Sequence, residues 1–361
     1  MNDLHTIIDQ LFETGDLPDA DFRMLIEGLM EDGADELCLE YLFQKARVRQ
    51  QETFGHDIYL RGLIEFTNYC RNDCYYCGIR RSNRSCERYH LTKEEILSCC
   101  EKGHALDFRT FVLQGGEDMS YKDEDLCDII SSIKDRFPDC AVTLSIGERE
   151  PESYRRYREA GADRYLLRHE TADPQLYARL HPGELSLKHR IFCLYELKKL
   201  GYQVGAGMML QAPGQTTEHL VKDLRFLQQL QPEMIGIGPF IPHQDTPFWN
   251  EPAGTARLTL VMISILRLMF PKALIPATTA LGTIDPAGRE KGILAGANVV
   301  MPNLSPAGVR EKYLLYNGKI SIRDEAAEAK QNLIQKIAEI GYHVKITRGD
   351  APAQKDRSGD L

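Results

Sequence analysis

From about residue 60 onward, short strand-like runs alternate with longer stretches of helical periodicity. Strands are expected near residues 62–67, 109–114, 140–146, 163–168, 203–210, 234–238, 274–279 and 297–301. Helices are expected between them, at Lys93–Glu101, Glu124–Arg136, Ser153–Ala160, Leu187–Leu200, Glu218–Gln229, Leu258–Phe270 and Gly288–Ala295. Parallel strands need a crossover, so this alternation predicts βαβ units and an α/β fold. Gly161, Gly201 and Gly296 recur at the ends of predicted helices, where a C-cap would lead into the next strand. Eight such units make a complete (β/α)8 TIM barrel, which needs about 250 residues. The division expected is a barrel over 55–345, with its core at 55–280 and its completion at 281–345. An N-terminal helical cap precedes it at 1–54, where Leu4, Ile7, Ile8 and Leu11 recur at helical spacing. Asp19 or Asp21 would cap a second helix through Phe22, Leu25, Ile26 and Leu29, and a third runs from Leu37 to Val48. Residues 346–361 form a polar tail, expected to fray from 347 onward.

Charge and hydropathy narrow the function classes. A net charge of −9 argues against a nucleic-acid partner held by counterion release. No apolar run approaches the roughly 20 residues that cross a bilayer, so no membrane partner is expected. Met1-Asn2-Asp3-Leu4-His5 lacks the basic start of a signal peptide, so a cytoplasmic location is expected. Ten cysteines in such a chain are expected to serve as ligands or buried apolar residues rather than disulfides.

The chemistry concentrates in Thr67-Asn68-Tyr69-Cys70-Arg71-Asn72-Asp73-Cys74-Tyr75-Tyr76-Cys77, just after the first predicted barrel strand. Three thiolates from one short loop can hold three irons of a cubane and leave the fourth open to a small molecule. A structural zinc site normally closes with a fourth Cys or His at short spacing, but the next candidates are Cys86 and His90. In a (β/α)8 barrel the reacting groups lie where strands end. Other candidates fall at that face. Gly115, Gly116 and Glu117 follow the second strand, where glycines let backbone approach a ligand. Ser145 and Glu148 end the third, and Arg168 and Glu170 end the fourth. Arg190, at the start of the next helix, is a candidate carboxylate fork. Met209 lies in the small-residue run that ends the fifth strand. Thr278, Thr279, Met301 and Tyr313, with Tyr316, are candidates for a substrate end of the barrel. No residue is singled out as the one that directs or quenches the reaction.

The Cys-x3-Cys-x2-Cys spacing, with Tyr76 before the third cysteine, resembles the radical S-adenosylmethionine (SAM) superfamily. The resemblance implies that Cys70, Cys74 and Cys77 bind a 4Fe–4S cluster whose open iron chelates SAM. An electron from the reduced cluster then cleaves SAM to methionine and a 5′-deoxyadenosyl radical. It also implies SAM contacts at Tyr76, Gly115, Gly116, Glu117, Ser145, Arg168, Glu170, Arg190 and Met209, an electron donor such as ferredoxin or flavodoxin, and an anaerobic setting. Five segments together narrow it: Tyr69–Arg81, Val112–Asp118, Tyr165–Thr171, Gly236–His243 and Ile275–Ala280 resemble the HydE family of FeFe-hydrogenase maturases. That family implies a role in assembling the hydrogenase H-cluster beside other maturases, on an organometallic Fe(CO)2(CN)–cysteine substrate. Methylornithine synthase, a lysine mutase, and biotin synthase are its relatives and the competing readings. A non-enzymatic iron–sulfur scaffold is a third alternative. Biotin synthase carries a second, sacrificial cluster on barrel-strand cysteines, whose places are held here by Val112, Ala141 and Gly205. With no cysteine after Cys193, a peripheral second cluster is not expected either.

Overall fold

The computed structural model describes residues 3–31, 35–320 and 326–352. Its centre is a parallel sheet of six strands in consecutive order: Gly62–Thr67, Thr110–Gly115, Ala141–Ser145, Arg164–Leu166, Gln203–Ala206 and Met234–Ile235. Each neighbouring pair is parallel, for example Val112 with Thr143 and Tyr165 with Val204, and the first pair shifts register between Glu65 and Thr67. The six-stranded ladder does not close on itself, and isolated parallel bridges span the remaining arc. Met234 bridges Leu274, Pro276 bridges Val299, and Asn303 bridges back to Leu63 on the first barrel strand. The strand expected at 274–279 is therefore reduced to single bridges. Pro276 lacks an N–H and cannot continue a ladder. The expected strand at 203–210 breaks into Gln203–Ala206 and Met209–Leu210, and the one at 234–238 into Met234–Ile235 and Gly238–Pro239.

The helices expected from periodicity are present, with ends shifted by a few residues: Lys93–Ala105, Asp123–Arg136, Pro151–Glu159, Leu187–Lys199, Thr217–Leu230, Ala256–Met269 and Gly288–Leu294. The first has a capping box in which Thr92 and Glu95 satisfy each other's backbone N–H groups. Gly161, Gly201 and Gly296 all take positive φ at helix ends. Helix Ala256–Met269 is buried over nearly its whole circumference, and the N-terminal helices explain why. Leu4–Thr14, Asp19–Met30 and Glu36–Phe54 pack over its outer face, so both sides of it face protein. Arg225 ties Asp16 and Asp19 to the barrel flank, and Arg257 ties Glu36.

Two strands were not expected. Asp57–Leu60 pairs on one side with Val299–Val300 and on the other with His343–Lys345, forming a three-stranded parallel sheet under the barrel. The residues after it correct the expected fraying from 347. Arg164, whose side chain is 3% exposed, donates to Thr110 Oγ1 at 3.0 Å and to the Arg348 carbonyl at 2.7 Å, and it pairs with Asp350. Arg348 reaches Asp163 at 2.8 Å. The chain through Pro352 thus closes the amino-terminal end of the barrel, and the rest of the tail, 353–361, lies outside the described residues.

Removing one partner of a buried guanidinium leaves an uncompensated charge. Asp350 is partly solvated, so Asp350→Asn is expected to cost about 1–2 kcal/mol, read as a lower urea midpoint at unchanged slope. An unchanged midpoint would show that the Arg164 pair contributes nothing to closing the barrel end.

Candidate functional site

At the carboxyl ends of the strands lies a cavity of about 330 Å³. One wall is the loop that follows the first barrel strand, with Cys70, Cys74, Tyr76 and Cys77 facing inward. Between 68 and 92 this loop holds no helix, and its shape comes from hydrogen bonds to its own backbone. Arg88 Nη1 donates to the carbonyls of Asn68 (2.5 Å) and Ile79 (2.8 Å), and its Nη2 to those of Arg80 (2.6 Å) and Asn83 (3.2 Å). Asn68, with no exposed surface, donates to the carbonyls of Glu87 and Lys312 and accepts from the Tyr89 N–H. Asp73 accepts from Arg80 Nε at 2.7 Å and from the Ser82 N–H at 3.0 Å. The Arg80 guanidinium holds the Asp73 carboxyl well below the usual range. Spacing alone pointed to neither Arg88 nor Asn68. Arg88 stands eleven residues beyond Cys77, and only the folded loop brings the four carbonyls to it.

The Gly115–Gly116–Glu117 turn packs against the same loop. A Cβ on Gly116 would stand 2.2 Å from the Tyr69 carbonyl and 2.8 Å from Cys70 Cβ. The glycine is therefore required by the close approach of the cysteine loop, a different reason from the ligand contact expected. Glu117 donates its N–H to Cys70 Sγ at 3.4 Å. Its carboxylate binds Arg71 at 2.9 Å and accepts the Glu148 N–H at 2.8 Å. Gly147, which sequence reasoning missed, takes φ +74° and lies so close to Glu117 that a Cβ would fall 2.0 Å from its Cγ. A glycine immediately past the predicted strand end at 146 was the available signal.

Ser145, Arg168, Glu170, Arg190 and Met209 also line the cavity, as do Thr278, Met301 and Tyr313, with Tyr316. Thr279 does not reach the cavity. It opens the short helix Thr279–Ile284, which Thr278 caps by accepting the Leu281 N–H. Gln114, whose amide donates to Tyr313 at 3.4 Å, and Phe240 join the lining without having been singled out. Arg190, expected to fork a ligand carboxylate, instead holds the chain's own Glu148 through Nε, and its Nη1 donates to the Arg168 carbonyl at 3.1 Å. Tyr76 donates to His181 Nε2 at 3.1 Å, since His181 Nδ1 must donate to the Tyr177 carbonyl at 2.9 Å. Burial pushes the His181 imidazole down to about 3, so it stays neutral and accepting.

Two observations bear on what fits this cavity. Burial pushes the Cys77 thiol up to about 12 and the Cys70 and Cys74 thiols above their ordinary value. Such thiols stay protonated unless a metal replaces the proton, so a cluster's irons suit the site. Arg168 Nη2 and Glu170 Oε2 lie 3.0 Å apart, yet both are buried without a hydrogen bond in good geometry. A zwitterionic ligand with a carboxylate, an ammonium and hydroxyls would satisfy both. SAM is such a ligand. The same region of the chain, residues 64–227, matches the radical SAM superfamily model.

Over 283 residues the chain is 48% identical to the FeFe-hydrogenase maturase subunit HydE of Thermotoga maritima, covering 78% of this chain and 80% of that protein. It is 31% identical to 3-methylornithine synthase of Methanosarcina acetivorans, covering 89% of each. A crystal structure of methylornithine synthase superposes with a TM-score of 0.82 at 28% identity, over 94% of this chain and 97% of that one. With near-half identity to HydE carried across four-fifths of that protein, the chain belongs to the radical SAM superfamily, in its HydE family, and is a SAM-dependent enzyme.

Proposed function

We propose that this enzyme acts in FeFe-hydrogenase H-cluster maturation on an organometallic Fe(CO)2(CN)–cysteine substrate, with one 4Fe–4S cluster at Cys70, Cys74 and Cys77. The observation that carries the reading is that one cavity is lined by the three thiols, by Arg168 and Glu170, and by Thr278, Met301 and Tyr313. When bound, the cluster and SAM supply reductive cleavage of the sulfonium C–S bond. The chain's own part is to hold and orient. Gly115 to Glu117 and the Arg88-braced loop keep the three sulfurs facing the cavity. Arg168 and Glu170 offer a cation and an anion to the polar end of SAM, and Tyr76, fixed by His181, offers its ring edge. Met209 and Phe240 give apolar surface and exclude water. Thr278, Met301 and Tyr313 line the substrate end.

A lysine mutase would need an acidic partner for the substrate ammonium. Glu65, on the first barrel strand with 1% exposure, is already paired with Lys319 and accepts from Asn303 at 2.8 Å. Asp107 is on the surface, paired with Lys330. The pairing of Glu65 favours the maturase reading over the mutase. Substrate delivery by other maturases, electrons from a carrier such as ferredoxin or flavodoxin, and an anaerobic cytoplasmic setting complete the proposal. No helix among the described residues is long and apolar enough to cross a membrane.

Cys70→Ala, Cys74→Ala or Cys77→Ala is expected to abolish both cluster assembly and SAM cleavage, while Cys86→Ala, Cys127→Ala and Cys193→Ala keep about four irons per chain. Mössbauer spectra of the reconstituted protein should show one 4Fe–4S cluster. A second protein-bound cluster, or a triple variant that retains its iron, would contradict the assignment.

Losing a charged partner in a partly dry cavity costs about 1.5–3 kcal/mol, or roughly ten- to a hundredfold in affinity. Glu170→Ala is therefore expected to weaken SAM binding by that factor at unchanged iron content. Thr278→Val should spare SAM affinity and slow turnover of the native substrate. Equal losses of SAM affinity in the two variants would mean that the cavity is not divided into a SAM end and a substrate end.

A further inference from the structure

Glu170 sits at φ +65°, a left-handed conformation that a side-chain-bearing residue keeps only when its surroundings hold it there. Part of that hold comes from the fifth barrel strand. The Glu170 N–H donates to the Gly207 carbonyl at 3.1 Å, and the Met209 N–H donates to the Glu170 carbonyl at 3.2 Å. The rest comes from behind the cavity wall. His169 and Asp223 each have no exposed surface. His169 Nδ1 accepts the Gly207 N–H at 3.3 Å, which leaves the proton on Nε2, and Nε2 faces Asp223 Oδ1 at 3.4 Å. The same Oδ1 accepts the Ala172 N–H. The His169 ring packs on Phe226, 4.7 Å between centroids.

Asp223 belongs to helix Thr217–Leu230, one βα unit away from the turn it grips. Its Oδ1 accepts the Ala172 N–H and stands beside His169 Nε2 at a charge-pair distance without hydrogen-bond geometry, so it touches the turn on either side of Glu170. A carboxylate with no exposed surface is costly unless its contacts repay the desolvation. Neither Asp223 nor His169 lines the cavity, whereas Arg168 and Glu170, adjacent in sequence to His169, do. Arg168 and Glu170 flank His169 directly in the chain, so fixing His169 behind the wall limits how its two neighbours can turn.

We propose that His169 and Asp223 form a buried positioning pair that holds the Glu170 carboxylate and the Arg168 guanidinium toward SAM. The inference rests on the reading that Glu170 faces SAM, and its test separates the two. SAM affinity and iron content are measured by equilibrium dialysis on reconstituted holoenzyme for wild type, Glu170→Ala, Asp223→Asn, Asp223→Ala and the double variant Glu170→Ala/Asp223→Ala. Losing a residue that orients a binding group typically costs tenfold or more. Asp223→Ala is expected to bind SAM about tenfold more weakly at unchanged iron content. The double variant should lose less than the sum of the two single losses, because what Asp223 does through Glu170 is gone once Glu170 is removed and only its hold on Arg168 remains. Asp223→Asn keeps an acceptor for the Ala172 N–H but loses the charge facing His169, so it should fall between wild type and Asp223→Ala. It carries the same comparison if the alanine variant does not fold. In turnover, the KM for SAM should rise while kcat at saturating SAM is kept. Wild-type affinity in the Asp223 variants, or additive losses in the double variant, would overturn the pair. Wild-type affinity in Glu170→Ala would instead overturn the SAM reading of Glu170 itself.

Discussion

Six strands run the same way, and the functional geometry depends on that constraint. Each parallel pair requires a helix to return the chain to the starting edge. Every strand therefore ends at one face, and every loop that follows a strand enters the same space. Cys70 to Cys77, Gly115 to Glu117, Ser145, Arg168 with Glu170, and Met209 come from the ends of five successive strands and the loops that follow them, and they line one cavity. The opposite end carries no such convergence. It is closed by packing and ion pairs, with Arg164, Arg348 and Asp350 taking the place of a seal.

The cysteine loop meets this face under a different physics. It is long, has no regular structure, and must still hold three sulfurs toward one point. Backbone groups left without partners are expensive when buried, and this loop answers with side chains. Arg88 takes four carbonyls, Asn68 three backbone partners, and Asp73 a guanidinium and a backbone N–H. The glycine turn at Gly115–Gly116 then lets the loop lie directly on the second strand. Carbonyl-gathering by one planar guanidinium suits a loop that must keep its shape whether or not its sulfurs carry iron.

Burial of charge follows the same division. Glu117, Glu148, Arg190 and Glu65 are nearly inaccessible, and each is paired within the chain. Among the described residues, only Arg168 and Glu170 are left with buried polar atoms lacking well-formed hydrogen bonds on the cavity side. The wall of the site is thus largely satisfied before any ligand arrives, with its open valences gathered at one place.

The strand–helix alternation, the glycine helix caps and the thiol spacing were all readable in the chain, because each is a local consequence of side-chain type and period. That is why the barrel class, most helices and nearly every cavity-lining candidate could be placed from residue order. Boundaries failed where a local rule was overridden. Pro276 broke an apolar run into single bridges, and Gly147 went unnoticed as one turn glycine among many. Thr278 and Thr279 looked equivalent in sequence, yet a helix cap turned one toward the cavity and the other away. The pairing of Arg190 with Glu148, the reach of Arg88 across four carbonyls, the seat of Asp350 under the barrel and the grip of Asp223 on His169 were decided only in three dimensions. Each joins residues from different βα units or across a long loop, and residue order carries no record of which distant partner satisfies a buried charge.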